Sequence, residues 1–233
     1  MNAAERRLVI VRHGSSEWNL SGRFTGWTDI PLNEQGLAQD AAAGRRLASE
    51  NLVFDEVHTS VLHRTHQSAD SMLSAAGNTP IPRYSSWRLN ERHYGQLQGL
   101  NKQEIFEKWG ERRYRSWWRG YFEAPPPLEL DDPRHPRFDP LYAGLDPAIL
   151  PRSESLSDCQ RRLLPYWHEV LAPRIAAKRR LLVVSHGNAI RSLVMYLDKI
   201  APDAIEKLEI TPSVPLIYRF SSALDAAGRD WLE

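Results

Sequence analysis

Two short apolar runs constrain this chain more than any other feature. Leu8-Val9-Ile10-Val11 leads into Arg12-His13-Gly14, and Leu181-Leu182-Val183-Val184 leads into Ser185-His186-Gly187. A short continuous run of Val, Ile and Leu is the pattern of a strand buried on both faces. The two runs lie far apart in the chain and each ends in the same kind of turn. Ligands of parallel sheets bind beyond the carboxyl ends of the strands, so if the strands ending at Val11 and Val184 are neighbours, the two His-Gly turns face one another there.

The remaining pattern agrees with alternating strands and helices. Asn33 is suited to cap a helix running to about Asn51, with Leu37, Ala41, Gly44 and Ala48 on one face. Val53 to His58 reads as a third strand and Leu62 to Leu73 as the helix behind it. The fold class expected is α/β: a three-layer sandwich with a mostly parallel central sheet flanked by helices. Asn101 to Arg119 is helical in pattern and rich in aromatic residues and Arg. Eight of the 16 prolines then fall between Pro125 and Pro151, which excludes regular helix or central strand. Residues 101–152 are therefore expected to form a helical and Pro-rich lid inserted into a single domain spanning 1–233. Ser155 and Asp158 form a capping-box pattern, opening a helix through Leu156, Leu163, Trp167 and Val170 that Pro165 is expected to kink or divide.

Composition limits the function classes. Lys and Arg number 30 against 29 Asp and Glu, so the chain lacks the basic excess of a dedicated nucleic-acid binder. A small phosphorylated substrate needs only a local cluster of cations. The single cysteine, Cys159, allows no internal disulfide and suits a reducing, cytoplasmic setting. The opening Met-Asn-Ala-Ala-Glu-Arg-Arg precedes an apolar run too short for a signal peptide, and no stretch has the length of a membrane span. Neither a nucleic-acid nor a membrane partner is expected.

At the predicted strand ends, His13 is the candidate nucleophile, because imidazole is partly unprotonated near neutral pH. A phosphoryl group in transfer spreads charge over three oxygens and must be surrounded by donors. Arg12, beside the nucleophile, and Arg64, after the third strand, offer guanidinium forks, and His186 is expected to complete the ring. His63 and His66 lack an accompanying ligand cluster and read as an exposed helix face.

Four segments carry a resemblance to a known family: Arg12-His13-Gly14-Ser15-Ser16-Glu17-Trp18-Asn19, Arg23-Phe24-Thr25-Gly26-Trp27-Thr28-Asp29, Trp87-Arg88-Leu89-Asn90-Glu91-Arg92-His93-Tyr94-Gly95, and Ser185-His186-Gly187-Asn188. Asn101-Lys102 and Ser153-Glu154-Ser155-Leu156 add to them. The chain resembles the histidine phosphatase superfamily over nearly its whole length, and the second and third segments are similar to its cofactor-dependent phosphoglycerate mutases. The resemblance implies that His13 carries the phosphoryl group while Arg12, Arg64 and His186 stabilise it in transfer. It makes Glu91 the general acid/base at the substrate hydroxyl, a role suited to a carboxylate. It assigns Ser16, Asn19, Thr25, Gly26, Arg92, Tyr94, Lys102, Arg119, Gly187 and Asn188 to binding the substrate's phosphate and carboxylate. The implied reaction interconverts 3-phosphoglycerate and 2-phosphoglycerate, with 2,3-bisphosphoglycerate as primer and no metal. Small phosphorylated three-carbon acids are the implied partners, and a homodimer the implied assembly.

The chain departs from that pattern in three places. Relatives commonly have two adjacent arginines where this chain has Trp118-Arg119; Arg115, a turn earlier, is the candidate to compensate. Ser15 stands where an acidic or amide residue is usual. The tail after Phe220 is shorter than in many relatives, so closure is expected to rely on the Pro-rich segment. Two rival readings remain: a phosphomonoester phosphatase of the same superfamily, and a non-catalytic RNA-binding module using Arg112-Arg113-Tyr114-Arg115 and nearby tryptophans.

Overall fold

A computed structural model describes residues 6–78 and 80–233; the stretch 1–5, where a leader was sought, lies outside the described residues. The strands are β1 (Arg6–Arg12), β2 (Glu56–Thr59), β3 (Arg83–Ser85), β4 (Leu181–Ser185), β5 (Leu216–Phe220) and β6 (Ala226–Trp231). The α-helices are α1 (Glu17–Leu20), α2 (Glu34–Ser49), α3 (His63–Ala75), α4 (Lys102–Arg119), α5 (Leu156–Tyr166), α6 (Ala172–Ala176) and α7 (Gly187–Leu197). They build one six-stranded sheet in the order β3-β2-β4-β1-β5-β6. The pairs β1/β4, β2/β4 and β2/β3 are parallel, whereas β1/β5 and β5/β6 are antiparallel.

The two apolar runs are direct neighbours, with Leu8 opposite Leu181 and Arg12 opposite Ser185. Because successive side chains in a strand point to opposite faces, β1 and β4 divide between two cores. Leu8, Ile10, Leu181 and Val183 pack with Leu163, Tyr166, Ile190 and Leu193 of α5 and α7. Val9, Val11, Leu182 and Val184 pack with Ala43, Leu47, Ala69 and Met72 of α2 and α3. This two-sided burial is the three-layer sandwich expected, and its sheet is mostly parallel.

Several local readings change. The third strand begins at Glu56, not Val53: Val53 is exposed, and β2 consists of Glu-Val-His-Thr, all buried. Its polar side chains find partners within the fold: Glu56 pairs with Arg174 and Arg179, and His58 Nδ1 meets the Tyr166 hydroxyl at 2.8 Å, although His58 Nε2 has no hydrogen-bond partner. Asn33 caps α2 as expected, its side chain accepting from Gly36 N–H at 2.8 Å. The buried face of α2 is nevertheless Gly36, Asp40, Ala43, Gly44 and Leu47, while Leu37 and Ala48 face solvent. Reading Leu37 as a core anchor displaced the stripe by one residue, because Asp40 was not expected inside.

Ser155 and Asp158 do form the capping box of α5. Pro165 lies in its last turn, and the chain continues through a π-turn (Trp167–Leu171) into α6. Helix α4 contains a break that the pattern did not reveal, at Gly110 with φ +77°. The Pro-rich stretch is irregular, with three 3-10 turns opened by the side chains of His135, Asp139 and Asp146. The chain after Phe220 is the edge strand β6. Among the described residues, no helix is long and apolar enough to cross a membrane.

Candidate active site

Beyond the carboxyl ends of β1 and β4 lies a cleft of about 110 Å³, smaller than the roughly 300 Å³ and upward of a drug-sized site. Arg12, Arg23, Arg64, Lys102, Arg119 and Arg191 line it, against two carboxylates, Glu91 and Glu209. Such an excess of cations in a small space suits a small polyanion.

His13 sits at the floor. Its backbone N–H donates to Ser185 O at 3.0 Å, continuing the β1/β4 ladder into the turn. Its ring Nδ1 lies 2.7 Å from Gly14 O, which can only accept, so Nδ1 carries the proton and Nε2 holds the free lone pair. Burial, together with the charges of Arg64 and Arg12, holds the imidazole well below its ordinary pKa. A neutral His13 with Nε2 unprotonated has the chemical form that a nucleophile requires. Gly14 is required by the packing: a Cβ there would meet Gly36 O at 2.3 Å and Asp40 Oδ2 at 2.8 Å.

The guanidinium of Arg64 is fixed by three hydrogen bonds, from Nε to His186 Nδ1 (3.2 Å), Nη1 to Thr28 O (3.0 Å) and Nη2 to Gly26 O (2.8 Å). Of its five N–H groups, this leaves two for a ligand. Burial lowers its pKa to about 10, so it stays charged at neutral pH. Arg12 donates from Nη1 to Ile210 O at 2.8 Å and keeps a buried Nε without a partner. Thr25 Oγ1, also lining the cleft, is likewise buried without a partner. Arg191 Nε is a third such group. Orphaned polar groups in a native fold call for a ligand or water, and these three belong to residues lining one cleft. Gly26 beside Thr25 adopts φ +56°, and a Cβ there would lie 2.2 Å from Gln98 Oε1.

Glu91 reaches the cleft from an irregular segment held on several sides. Its carbonyl accepts from Trp27 Nε1 at 2.6 Å and from Arg162 Nη2 at 3.1 Å. Arg162 is in turn locked by a buried ion pair with Glu154 at 2.6 Å. The Glu91 carboxylate accepts from its neighbour's backbone, Arg92 N–H (2.7 Å), and from Asn188 N–H (3.1 Å) at the start of α7. A Cβ at Gly187 would stand 3.6 Å from the Arg12 guanidinium and 3.7 Å from Glu91 Oε2, so that glycine keeps the space between them open. Asn188 Nδ2 donates to the Tyr94 hydroxyl at 2.9 Å, and Arg191 Nη1 donates to Asn188 Oδ1 at 2.9 Å.

At the far end, Arg119 lies over the Trp118 ring at 4.4 Å and pairs with Glu209 at 2.6 Å. Lys102 Nζ lies 5.3 Å from the Trp118 ring. Burial lowers its pKa to about 8, with the charge of Arg12 adding to the effect.

Of the residues singled out in the sequence, His13, Arg12, Arg64, Glu91, Asn19, Thr25, Gly26, Tyr94, Lys102, Arg119, Gly187 and Asn188 line this cleft. Three others do not. His186 is fully buried 5.0 Å from His13, and both its nitrogens are engaged, Nδ1 by Arg64 and Nε2 by Ser60 Oγ at 2.8 Å. As placed, it orients Arg64 and offers no free N–H to a phosphoryl group. Ser16 is buried and serves as the N-cap of α1, bonded to Asn19. Arg92 lies fully buried against the Tyr94 ring and donates to the carbonyls of Trp117 and Trp118, tying down the end of α4. Arg115 does not replace the missing arginine: it is exposed and pairs with Glu111 and Glu206. None of residues 120–152 lines the cleft; within the insertion, that role falls to Lys102, Trp118 and Arg119 of α4.

Arg23, Arg191 and Glu209 line the cleft without having been singled out. Arg191 could have been found, being one helical turn after Asn188. Glu209 carries no local signal, because only the tertiary fold brings it to Arg119.

The fold and site together define a class: an α/β sandwich whose parallel strands present a neutral buried histidine to a cationic cleft. The chain belongs to the histidine phosphatase superfamily (branch 1), whose family model matches residues 8–220. It is 48% identical, over 97% of its length and 90% of the relative's, to a 2,3-bisphosphoglycerate-dependent phosphoglycerate mutase of Nitratidesulfovibrio vulgaris. A protein of the same name from Hamiltonella defensa is 44% identical, covering 97% of this chain and 91% of the relative. Among solved structures, a mycobacterial glucosyl-3-phosphoglycerate phosphatase with VO3 superposes with a TM-score of 0.73 at 23% identity over 97% of both chains. The alpha-ribazole phosphatase of Shigella flexneri gives 0.68 at 18% identity, covering 97% of this chain and 96% of its own. At those identities the structural likeness speaks for the fold alone.

Proposed function

We propose that this chain interconverts 3-phosphoglycerate and 2-phosphoglycerate through a phosphohistidine at His13. The observation that carries the reading is the His13 ring itself, neutral, buried, with Nδ1–H committed to Gly14, lining a cleft of cations. The names of the 48% and 44% identical relatives support the same reaction. The orphaned groups of the cleft, Arg12 Nε, Thr25 Oγ1 and Arg191 Nε, fit a phosphorylated ligand. 2,3-Bisphosphoglycerate supplies the phosphoryl group that first charges His13.

The rest follows from the chain's own groups. In the forward half, the free hydroxyl of the substrate attacks phosphorus as the N–P bond breaks, and Glu91 takes the hydroxyl proton. After the bound acid turns in the cleft, Nε2 attacks the other phosphoryl group, the C–O–P bond breaks, and Glu91 returns the proton to the departing oxygen. Arg12 and Arg64 surround the moving phosphoryl group with fixed donors that need no rearrangement as charge develops. His186 contributes through Arg64, and Arg92 through the position of Trp118 and Arg119. Within the insertion 101–152, α4 is the part that meets the ligand.

A second reading is favoured by a particular observation. Trp118 supplies no charge and Glu209 neutralises Arg119, so the far end of the cleft grips a second anionic group less firmly. Water would then compete for the phosphohistidine, giving a phosphomonoester phosphatase. Incubation with 3-phosphoglycerate and a trace of 2,3-bisphosphoglycerate separates the two: formation of 2-phosphoglycerate is expected, and free phosphate alone would establish the phosphatase.

A further inference from the structure

One buried acid beside the carrier histidine has no part in the chemistry described above. Asp40, on α2, is fully buried on the face that packs against α3. Its carboxylate accepts from Gly14 N–H at 3.2 Å, from Ser68 Oγ at 2.5 Å and from Ser213 Oγ at 2.6 Å. None of these partners is a cation. A carboxylate buried without a counter-ion is costly, and an apolar residue would fill the same space without that cost. We infer that Asp40 is a positioning residue for the phosphoryl carrier, holding the His13–Gly14 peptide and thereby the tautomer and direction of the His13 ring.

Three segments distant in sequence converge on Asp40, and all bear on the two peptides around His13. Gly14 N–H belongs to the peptide that joins it to His13, and it is shared between Asp40 Oδ2 and Ser68 Oγ, the latter at 3.2 Å. The Ser68 hydroxyl faces Gly14 with its lone pairs because its proton goes to Asp40. Ser213, in the left-handed region at φ +57°, donates its own N–H to Arg12 O at 2.9 Å while its hydroxyl is tied to Asp40. The carbonyl before His13 and the N–H after it are thus referred to one carboxylate. Gly14 O, which holds His13 Nδ1–H, lies in the next peptide, whose Ser15 N–H donates to Gln39 Oε1 at 3.1 Å. If the His13–Gly14 peptide rotates, Gly14 Cα and the carbonyl beyond it move with it, the acceptor is displaced, the tautomer is no longer fixed, and Nε2 leaves its line of attack. Displacements of about 1 Å in such arrangements can cost on the order of a hundredfold in rate.

The role requires an acceptor of the right shape more than a charge. In Asp40→Asn the amide oxygen can serve Gly14 and Ser68 while the amide nitrogen donates to Ser213. The inference rests on His13 as the phosphoryl carrier, and the test keeps the two apart. Phosphohistidine formation from 2,3-bisphosphoglycerate is followed by rapid quench in the wild type, Asp40→Asn and Asp40→Ala, and the His13 tautomer is read from 15N chemical shifts. Asp40→Asn should keep the Nδ1–H tautomer and a rate within about threefold of wild type. Asp40→Ala should lose at least about tenfold and show a mixed tautomer. An Asp40→Ala protein that phosphorylates His13 at the wild-type rate overturns the inference, as does an Asp40→Asn protein as slow as Asp40→Ala. Should Asp40→Ala fail to fold, Asp40→Asn decides alone: a folded protein with a lost tautomer or a tenfold slower step contradicts the assignment. A wild type that never forms phosphohistidine overturns both the function and this inference; a wild type that does, beside an unaffected Asp40→Ala, overturns only this one.

Discussion

At the scale of single residues, the cleft is built around two imidazoles that the fold makes unequal. His13 has one nitrogen held and one free, whereas His186 has both engaged. The equality of the two His-Gly turns in the sequence therefore ends at the backbone. The far end of the cleft is governed by Arg119 and its neighbours Trp118 and Glu209. The ion pair with Glu209 is largely exposed on the glutamate side, so its worth is small. A phosphate or carboxylate should displace it with little loss. Glu209→Gln is expected to tighten 2,3-bisphosphoglycerate binding by roughly two- to fivefold, and Trp118→Arg by about tenfold, because it restores a second guanidinium. Equilibrium binding measures both; unchanged affinity in Trp118→Arg would remove the far-end argument. Asp40 provides a third prediction. Burial raises its pKa from 3.8 to about 6. A raised carboxylate pKa means that no stability is lost below the unfolded value and that the loss is complete once the pH has passed the folded value. Asp40→Asn should therefore be more stable than wild type at pH 8, by on the order of 2–3 kcal/mol. The difference should vanish below about pH 4, as followed by denaturant titration at both pH values.

At the scale of elements, the site depends on what each strand delivers at its carboxyl end. β1 delivers Arg12 and His13, β4 delivers His186 and the start of α7, and the turn after β2 delivers Ser60 and then Arg64 on α3. That much was legible, because buried parallel strands write themselves as unbroken apolar runs and the residues after them are adjacent in sequence. β2 was placed less well, since its buried residues are Glu, Val, His and Thr, with Glu56 and His58 partnered by Arg174, Arg179 and Tyr166 from elsewhere in the chain. The α2 stripe was displaced for the same reason: an inward carboxylate looks like a solvent residue until Gly14, Ser68 and Ser213 are seen around it. Glu91 was legible only through a motif, for the segment that carries it has no periodicity and is held by Trp27 and Arg162. The insertion shows the limit of composition. Its prolines marked an irregular segment, but the cleft is met by α4 before them. On substrate binding, α4 residues from Ser116 to Arg119 are expected to gain protection from hydrogen exchange, while residues 128–145 change little. Equal protection in both stretches would argue for closure by the whole insertion.

At the scale of the whole molecule, a nearly neutral protein concentrates its positive charge in one place. The balance of 30 basic to 29 acidic residues hides a cleft lined by six cations and two carboxylates. That local field, not the net charge, selects a small polyanion. One of the cations titrates within reach of ordinary buffers. Lys102, pushed down to about 8 by burial, is charged at pH 7 and becomes neutral as the pH rises through that value. The KM for phosphoglycerate should therefore rise above about pH 8, and Lys102→Arg should remove that inflexion because a guanidinium keeps its charge. The central claim is that His13 carries the phosphoryl group between acids. Rapid-quench labelling with 2,3-bisphosphoglycerate bearing radioactive phosphoryl groups, followed by a chase with unlabelled 3-phosphoglycerate, measures it most directly. The account predicts label on His13 within the first turnover and its passage into phosphoglycerate during the chase. Product formation with no label on His13, or label released only as free phosphate, would contradict it.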